Sequence, residues 1–454
     1  MNTILVVCAT HRDRREIPAF ADAGQHKLLF HDYASLELED LVADEQPEGI
    51  SIHDPEAEIE HILTLCEKES VGAVLSTDDY PGTALASIAA RRLGLSGVSP
   101  AANLLCQHKY YSRLIQYQAT LEAVPNFQIL DVRSDAGDLR IGFPCFVKPV
   151  KSFFSVGAHR VDSVDQLAAI KHRWASLASF FSPFEVLLKK YAGLSVGNKF
   201  LLAEELLEGL QATLEGYVYQ GEIYLLGIVD SVMFPNTIAF KRFEYPSSLP
   251  EPVQSRMLSL ARKLMSQSGF DHGMFNVEFM CNLAADTIHV VEINPRMSSQ
   301  FADLFEKVDG INSYSVLLDL AFGKRPQIRK GEGQYPMAAS CVLRTFENKR
   351  VMKLPGDDEI AQLQFEHPDI KFEVLATEGT RLSQQMQDGQ SYRYGIINIG
   401  GGSIREILDI YEECIRKLTF VFESVAQPKG DNVGLPSVAR QNLERIGSLR
   451  VRSA

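Results

Sequence analysis

The sequence predicts a multidomain chain, α/β at its N-terminus and α+β beyond. Three observations carry this expectation. Over the first hundred residues short apolar runs alternate with amphipathic stretches, the pattern of a doubly wound parallel sheet. Two later stretches, Tyr217 to Val229 and Met274 to Arg296, read as β-hairpins. The 454 residues give room for about three compact units.

Composition narrows the function classes. A chain 45% hydrophobic and 23% charged is an ordinary globular protein, neither fibrous nor disordered. The net charge of −13, with no dominant basic stripe, argues against nucleic acid as a main partner. No apolar run reaches the ~18 residues of a membrane span. The apolar run Ile4 to Ala9 precedes His11, Arg12, Arg14 and Arg15, the reverse of a secretory signal's order. Seven cysteines stand singly, with no Cys-x-x-Cys pair, which points to a reducing compartment and away from zinc. The expected location is cytoplasmic, with no membrane association.

In chain order, Thr3 to Cys8 and Val71 to Ser76 are predicted buried strands, with helices at Glu56 to Lys68 and Thr83 to Leu93. The strand-end loops Ala9–Arg15 and Thr77–Asp79 fall at the carboxyl edge, where open α/β sheets bind ligands. That makes His11, Arg12, Asp78 and Asp79 site candidates, against the plainer reading of a solvated loop and a helix cap. One helix is expected over Ala101 to Gln118. Lys148 lies in the apolar strand Phe143 to Val150, where a free charge is costly and calls for an anionic partner. Val232 to Pro246 reads as irregular structure facing a cleft, Pro252 to Gly269 as a helix, and Asn312 to Phe322 as another. Strands are expected at Met337–Arg344, Phe372–Ala376 and Tyr394–Ile399, and a long helix at Ile404–Phe422. Gly400, Gly401 and Gly402 lack the Lys-Ser/Thr of a phosphate loop, so a structural turn is favoured.

The hairpin at 274–296 carries the densest chemistry. Symmetry about Ala284 and Ala285 puts Glu278 nearly opposite Glu292, with Asn294 two residues on and facing the same way. Facing carboxylates repel unless something positive sits between them. A hard cation such as Mg²⁺ suits two carboxylates and an amide oxygen. Arg296 adds a planar cation suited to a phosphoryl or carboxylate group.

This set resembles the metal-binding end of the ATP-grasp superfamily, the ligases related to carbamoyl-phosphate synthase and to amino-acid and peptide ligases. The resemblance implies that Glu278, Glu292 and Asn294 hold two Mg²⁺ ions, with Mn²⁺ as a substitute, under the phosphates of ATP. It implies catalytic roles for Arg296 and Lys148, and phosphate contacts from Lys109 and Lys148. The loop Lys151 to Ala158 is similar to the family's phosphate lid, with Ser155 and Gly157 as contacts, although it is glycine-poor and carries Phe153 and Phe154. Glu204, Glu205, Leu206 and Leu207 match the adenine hinge, and Gln211 stands where the family usually has a ribose-binding Glu. Lys109 follows His108 where the family has Asp or Asn.

The resemblance further implies a domain order. A Rossmann-like unit is expected at 1–100 and a two-lobed ATP-grasp unit at 101–328, with its lid lobe at about 120–205. A small α+β domain at 329–426 and a loosely held tail at 427–454 complete it. The implied reaction activates a carboxylate as an acyl phosphate and joins it to an amine, with release of ADP and phosphate. Amino-acid-type substrates are expected. Ser298 and Ser299 are further substrate candidates, with His11 and Asp78. Biotin-carboxylase-like carboxylation and a non-catalytic ATP-binding regulator are the alternatives. The partners expected are small molecules, and a homodimer is left open.

Overall fold

The computed structural model describes residues 2–20, 26–32, 54–152, 156–384 and 391–425. The expected tail at 427–454 and Ser155, Phe153 and Phe154 of the lid lie outside the described residues. The fold is mixed α/β and α+β, built on several sheets. Among the described residues no helix is long and apolar enough to cross a membrane.

The N-terminal strands form a short parallel sheet around one strand whose Ile4, Leu5 and Val6 are fully buried. β1 (Asn2–Val6) lies between β2 (His26–Phe30) and β3 (Val71–Leu75), all parallel. The helices around them are α1 (His11–Phe20), α2 (Pro55–Lys68) and α3 (Gly82–Leu93). Asp54 caps α2 by accepting from the Glu56 amide, and left-handed Gly94 ends α3. The loops after β1 and β3 leave the same sheet edge: Asp79 after β3 meets Arg296 at the hairpin's end, and Arg12 in the first turn of α1 meets Ser299 just beyond it.

The helix expected over 101–118 is two helices, α4 (Pro100–Gln107) and α5 (Lys109–Ala119). His108 is extended between them, at φ −89° and ψ 105°. Its buried ring caps α5, Nδ1 accepting from the Tyr111 amide while Nε2 donates to the Val196 carbonyl at 3.0 Å, and the freed Lys109 amide turns to the Val150 carbonyl at 2.8 Å. Apolar spacing cannot reveal a break of one residue, because the pattern resumes on the same face.

A four-stranded antiparallel sheet follows, in the order β4-β7-β5-β6. Its strands are β4 (Phe127–Asp131), β5 (Cys145–Pro149), β6 (His159–Val161) and β7 (Phe200–Glu205). Helices α6 (Val164–Leu177) and α7 (Ser182–Ala192) bury Leu167, Trp174, Phe184 and Leu188 in one core with Cys145, Val147, Leu201 and Ala203.

The largest sheet has eight strands. It opens with the hairpin β8 (Leu210–Tyr219) and β9 (Glu222–Met233), turning at Gln220-Gly221 as the sequence predicts. Both turn residues have positive φ, 52° and 77°. β10 (Phe240–Tyr245) comes next, in the stretch expected to be irregular. Alternating Phe243 and Tyr245 are buried there, Tyr245 edge-on to Phe305, and that burial holds the strand. After α8 (Glu251–Ser268) come β11 (Gly273–Asn282) and β12 (Thr287–Asn294). Two helices follow, α9 (Ala302–Asp309) and α10 (Ser313–Ala321).

Beyond them are β13 (Met337–Thr345), β14 (Lys349–Lys353), α11 (Asp357–Glu366), β15 (Lys371–Val374), β16 (Tyr392–Gly401), α12 (Ile404–Lys417) and β17 (Val421–Ser424). The large sheet runs β12-β11-β8-β9-β10-β13-β16-β15. Its β10–β13 ladder carries main-chain bonding straight across residues 328 and 329. The last helix stops at Lys417 rather than continuing to Phe422, because Phe422 pairs with Val351 in the small β14–β17 ribbon. Gly400 is a packing residue: a Cβ there would sit 2.3 Å from the Tyr335 ring.

Candidate active site

Glu278 on β11 pairs directly with Glu292 on β12. A regular hairpin would not produce this. Phe279 pairs with Val290, so unbroken register would place Val291 against Glu278 and turn Glu292 to the other face. Val291 is instead an extra residue in β12, and beyond this bulge Glu278 meets Glu292, Val277 meets Ile293, and Asn276 meets Asn294. The bulge is held from outside the hairpin. Arg113 of α5 donates Nη1 to the Val290 carbonyl at 2.7 Å and Nη2 to the Val291 carbonyl at 3.0 Å. Lys148 of β5 donates to the same Val291 carbonyl at 3.2 Å.

The two carboxylates have different surroundings. Glu292 lies 2.7 Å from the Lys109 ammonium. Burial would raise its pKa, but Lys109 and Lys148 hold it below the ordinary carboxylate value. Glu278 has no ion-pair partner among the described residues. Gln211 Nε2 donates to its Oε2 at 2.9 Å and Asn294 Nδ2 to its Oε1 at 3.2 Å. Burial and the neighbouring Glu292 push Glu278 up to about 7. A cation between the pair would reverse that strain.

The orientation of Asn294 follows from its neighbours. Asn276 Nδ2 donates to the Arg296 carbonyl at 3.2 Å, and a carbonyl can only accept. Asn276 Oδ1 is therefore turned to Asn294 Nδ2, 2.9 Å away. With its amide nitrogen committed, Asn294 has Oδ1 left to offer. Two carboxylates and an amide oxygen form the hard donor set that Mg²⁺ takes, and the residues fit such an ion.

Above this pair stands a buried network. Glu204 lies between two cations, bonded to Arg113 Nε and to Lys148 Nζ, the latter at 2.8 Å. Burial raises its pKa, but Arg113 and Lys148 outweigh it and bring Glu204 down to about 2. Burial in turn lowers the pKa of Lys148. Glu205 receives the Asn126 amide at 2.9 Å and its side-chain amide at 2.9 Å. Leu206 and Leu207 follow as the strand ends, half-buried and outside regular structure. Gln211 is nearly buried on β8, its amide on Glu278. Lys109 also donates to the Ser152 carbonyl at 3.2 Å, where the lid loop begins. Gly157 has φ 75°, and a Cβ there would come within 2.8 Å of Pro149, so only glycine lets the loop lie this close to β5.

On the other side of the pair, Arg296 Nε lies 3.2 Å from Asp79 Oδ1, and Asp79 Oδ2 lies 3.3 Å from Lys151 Nζ. Burial opposes ionisation of Asp79, but Lys151, Arg296 and Lys109 bring it down to about 2. Arg12 donates Nη1 to Ser299 Oγ at 2.9 Å and Nη2 to Glu373 Oε2 at 2.7 Å. The Ser298 amide donates to Glu215 at 2.8 Å, and burial pushes that carboxyl up to about 8.

Of the four loop residues named from the sequence, His11, Arg12, Asp78 and Asp79, the structure turns two toward the hairpin's end and two away from it. His11 is exposed, while Arg12 beside it reaches Ser299. Asp78 accepts from the Gly82 amide at 2.7 Å and so caps the start of α3, the plainer of its two readings, while Asp79 reaches Arg296. Asn276, Glu215, Arg113 and Glu373 were missed. Asn276 was legible as two residues before Glu278 on one strand face, and Arg113 as one helical turn after Lys109. Glu373 carried no signal, because it meets Arg12 across 361 residues of chain.

Residues 141–304 match the family model of the ATP-grasp domain. No curated protein matches the chain. Its fold is similar to that of an L-amino acid ligase from Bacillus licheniformis, at 17% identity and TM-score 0.70, over 93% of this chain and 99% of that one. It is similar to phosphoribosylglycinamide synthetase from Anaerococcus prevotii, at 12% identity and TM-score 0.62, over 92% of this chain and 99% of that one. It is also similar to a biotin carboxylase from Campylobacter jejuni, at 14% identity and TM-score 0.60, over 93% and 92%. Residues 141–304 thus form an ATP-grasp domain that holds the Glu278–Glu292 pair, and the fold around it is similar to that of these proteins along nearly the whole chain.

Proposed function

We propose that the protein is an ADP-forming ligase that activates a carboxylate with ATP and joins it to an amine, with amino-acid-type substrates. The observation that carries this reading is the Glu278–Glu292 pair with Asn294 Oδ1 beside it, flanked by Lys109, Lys148 and Arg296. Glu278, Glu292 and Asn294 would hold Mg²⁺. When bound, the metal supplies positive charge at the terminal phosphates. Lys109 and Lys148 bind the phosphates, leaving their present partners Glu292 and Glu204 when the nucleotide enters. Glu204 to Leu207 border the adenine, and Gly157 belongs to the loop that covers the phosphates.

The terminal phosphoryl group passes to a carboxylate oxygen and ADP leaves. The amine nitrogen then attacks the acyl carbon, phosphate leaves, and the nitrogen loses a proton. Arg296 stabilises the negative charge of the transferring group, and Asp79 orients its guanidinium. Arg12 and Glu373 meet beside Ser299 with opposite charges, complementary to the two charged ends of an amino acid. Ser298 and Ser299 line the same edge. The run Met297-Ser298-Ser299-Gln300 has no titratable side chain to deprotonate bicarbonate, which disfavours the carboxylase reading.

The test is Glu292→Gln, which keeps the shape and removes the charge. Loss of ADP formation with an unchanged circular dichroism spectrum supports the reading. Wild-type turnover at limiting Mg²⁺ contradicts it.

A further inference from the structure

We propose that Arg113 is a positioning residue for the metal site: by holding the Val291 bulge it sets Glu292 opposite Glu278. The inference rests on the reading that Glu278, Glu292 and Asn294 bind a divalent cation. The hairpin's own register favours the alternative. Phe279 and Val290 pair regularly, and only an extra residue at Val291 brings Glu292 round to the face of Glu278. A bulge leaves carbonyls without ladder partners, and buried carbonyls left unpaired are costly. Here Arg113 supplies two of the three donors, one to Val290 and one to Val291.

Lys148 supplies the third donor, but it also bonds Glu204 and is proposed to turn to phosphate. Arg113 is 1% exposed and is walled in by Glu204 and Gln116, so it stays on the bulge whatever is bound. It also ties β7, where the adenine hinge begins, to the strand carrying Glu292. A planar fork with five donors can serve Glu204 and two carbonyls at once, and an ammonium cannot hold that geometry. Groups that orient metal ligands typically govern affinity by 10–100-fold, and Arg113 orients Glu292 through the main chain.

The experiment measures Mn²⁺ binding by electron paramagnetic resonance, without nucleotide, on the full chain. Arg113→Lys, which keeps a cation beside Glu204, is the main variant. Its Mn²⁺ affinity should fall at least about tenfold. Gln116→Leu removes an Arg113 partner that does not touch the bulge, and should change affinity less than threefold. Hydrogen exchange is followed in parallel, and the peptide covering 287–294 should exchange faster in Arg113→Lys while the rest of the large sheet keeps its protection. Arg113→Gln, whose amide ends near the Nε position beside Glu204 and reaches neither carbonyl, should likewise speed exchange at 287–294 and keeps the test open if the lysine variant folds poorly. Wild-type Mn²⁺ affinity in Arg113→Lys, an equal loss in Gln116→Leu, or exchange raised uniformly over the sheet would each overturn the proposal. Failure of the wild type itself to bind Mn²⁺ would instead strike the metal reading, and exchange at 287–294 would still test the bulge.

Discussion

The Lys109 ammonium lies 2.7 Å from Glu292 Oε1, joining the first residue of a helix to the carboxylate pair 183 positions later. Lys109 is the first residue after the His108 cap, so the cap aims it. On the proposed function it leaves Glu292 for phosphate when ATP and metal bind. Lys109→Met should lower kcat/KM for ATP by about 100-fold, the scale expected for removing one preorganised cationic group. Steady-state ADP release checks this, and an unchanged value would remove Lys109 from the phosphate site.

Gln211 is expected from sequence to meet the ribose, yet its amide donates to Glu278 at 2.9 Å. Gln211→Glu would replace that donor with a second carboxylate beside a group already pushed up to about 7. The metal-free variant should lose about 1–3 kcal/mol of stability. Millimolar Mg²⁺ should return most of it by neutralising the added charge. Urea titration with and without Mg²⁺ makes the comparison, and a variant as stable as wild type without metal would contradict it.

His108 gives the protein a defined acid sensitivity. Burial holds its pKa down at about 3, far below an ordinary imidazole. Between about pH 6.5 and pH 3 the unfolded chain therefore binds a proton that the folded chain refuses. Stability falls as pH drops through that window, by up to about 1.4 kcal/mol per pH unit, and His108 contributes no slope above it. His108→Asn keeps a capping side chain but does not titrate. The variant should be less stable at pH 7.5 by about 1 kcal/mol, and the gap should close or reverse by about 2 kcal/mol at pH 5. A gap independent of pH would mean that His108 is not held neutral.

Part of the hairpin's pattern was legible, because period-two alternation puts Glu292 and Asn294 on one face of their strand, and Asn276 and Glu278 on one face of theirs, using only neighbouring residues. The bulge that brings the two glutamates into register was not legible. It is set by Arg113, 177 positions from Val290, and no local pattern marks a donor that distant. The same reason hid Glu373 and left His11, Arg12, Asp78 and Asp79 as equal candidates in the sequence. Sequence named the loops, but the direction of each side chain depends on what packs against it. The break at His108 was hidden for a different reason, since capping by a histidine ring does not resemble the usual Asp or Asn.

Arg12 pairs with Glu373 beside Ser299, away from the nucleotide end. Arg12→Gln should raise KM for one organic substrate at least about tenfold while leaving KM for ATP within twofold, because removing an interaction that ground and transition states share equally shows in KM. A change confined to ATP would move Arg12 to the nucleotide side.

On the proposed function ATP is cleaved at the β–γ bond to make an acyl phosphate. Glu278, Glu292, Lys109 and Lys148 gather their charges where the terminal phosphates would lie. The direct measurement incubates the protein with ATP, Mg²⁺, hydroxylamine and a pooled set of amino acids, and analyses nucleotides and hydroxamates together. ADP and phosphate should appear in step with an amino-acid-dependent hydroxamate, with little of either without the acid. AMP and pyrophosphate, or ADP release dependent on bicarbonate alone, would contradict the proposed function.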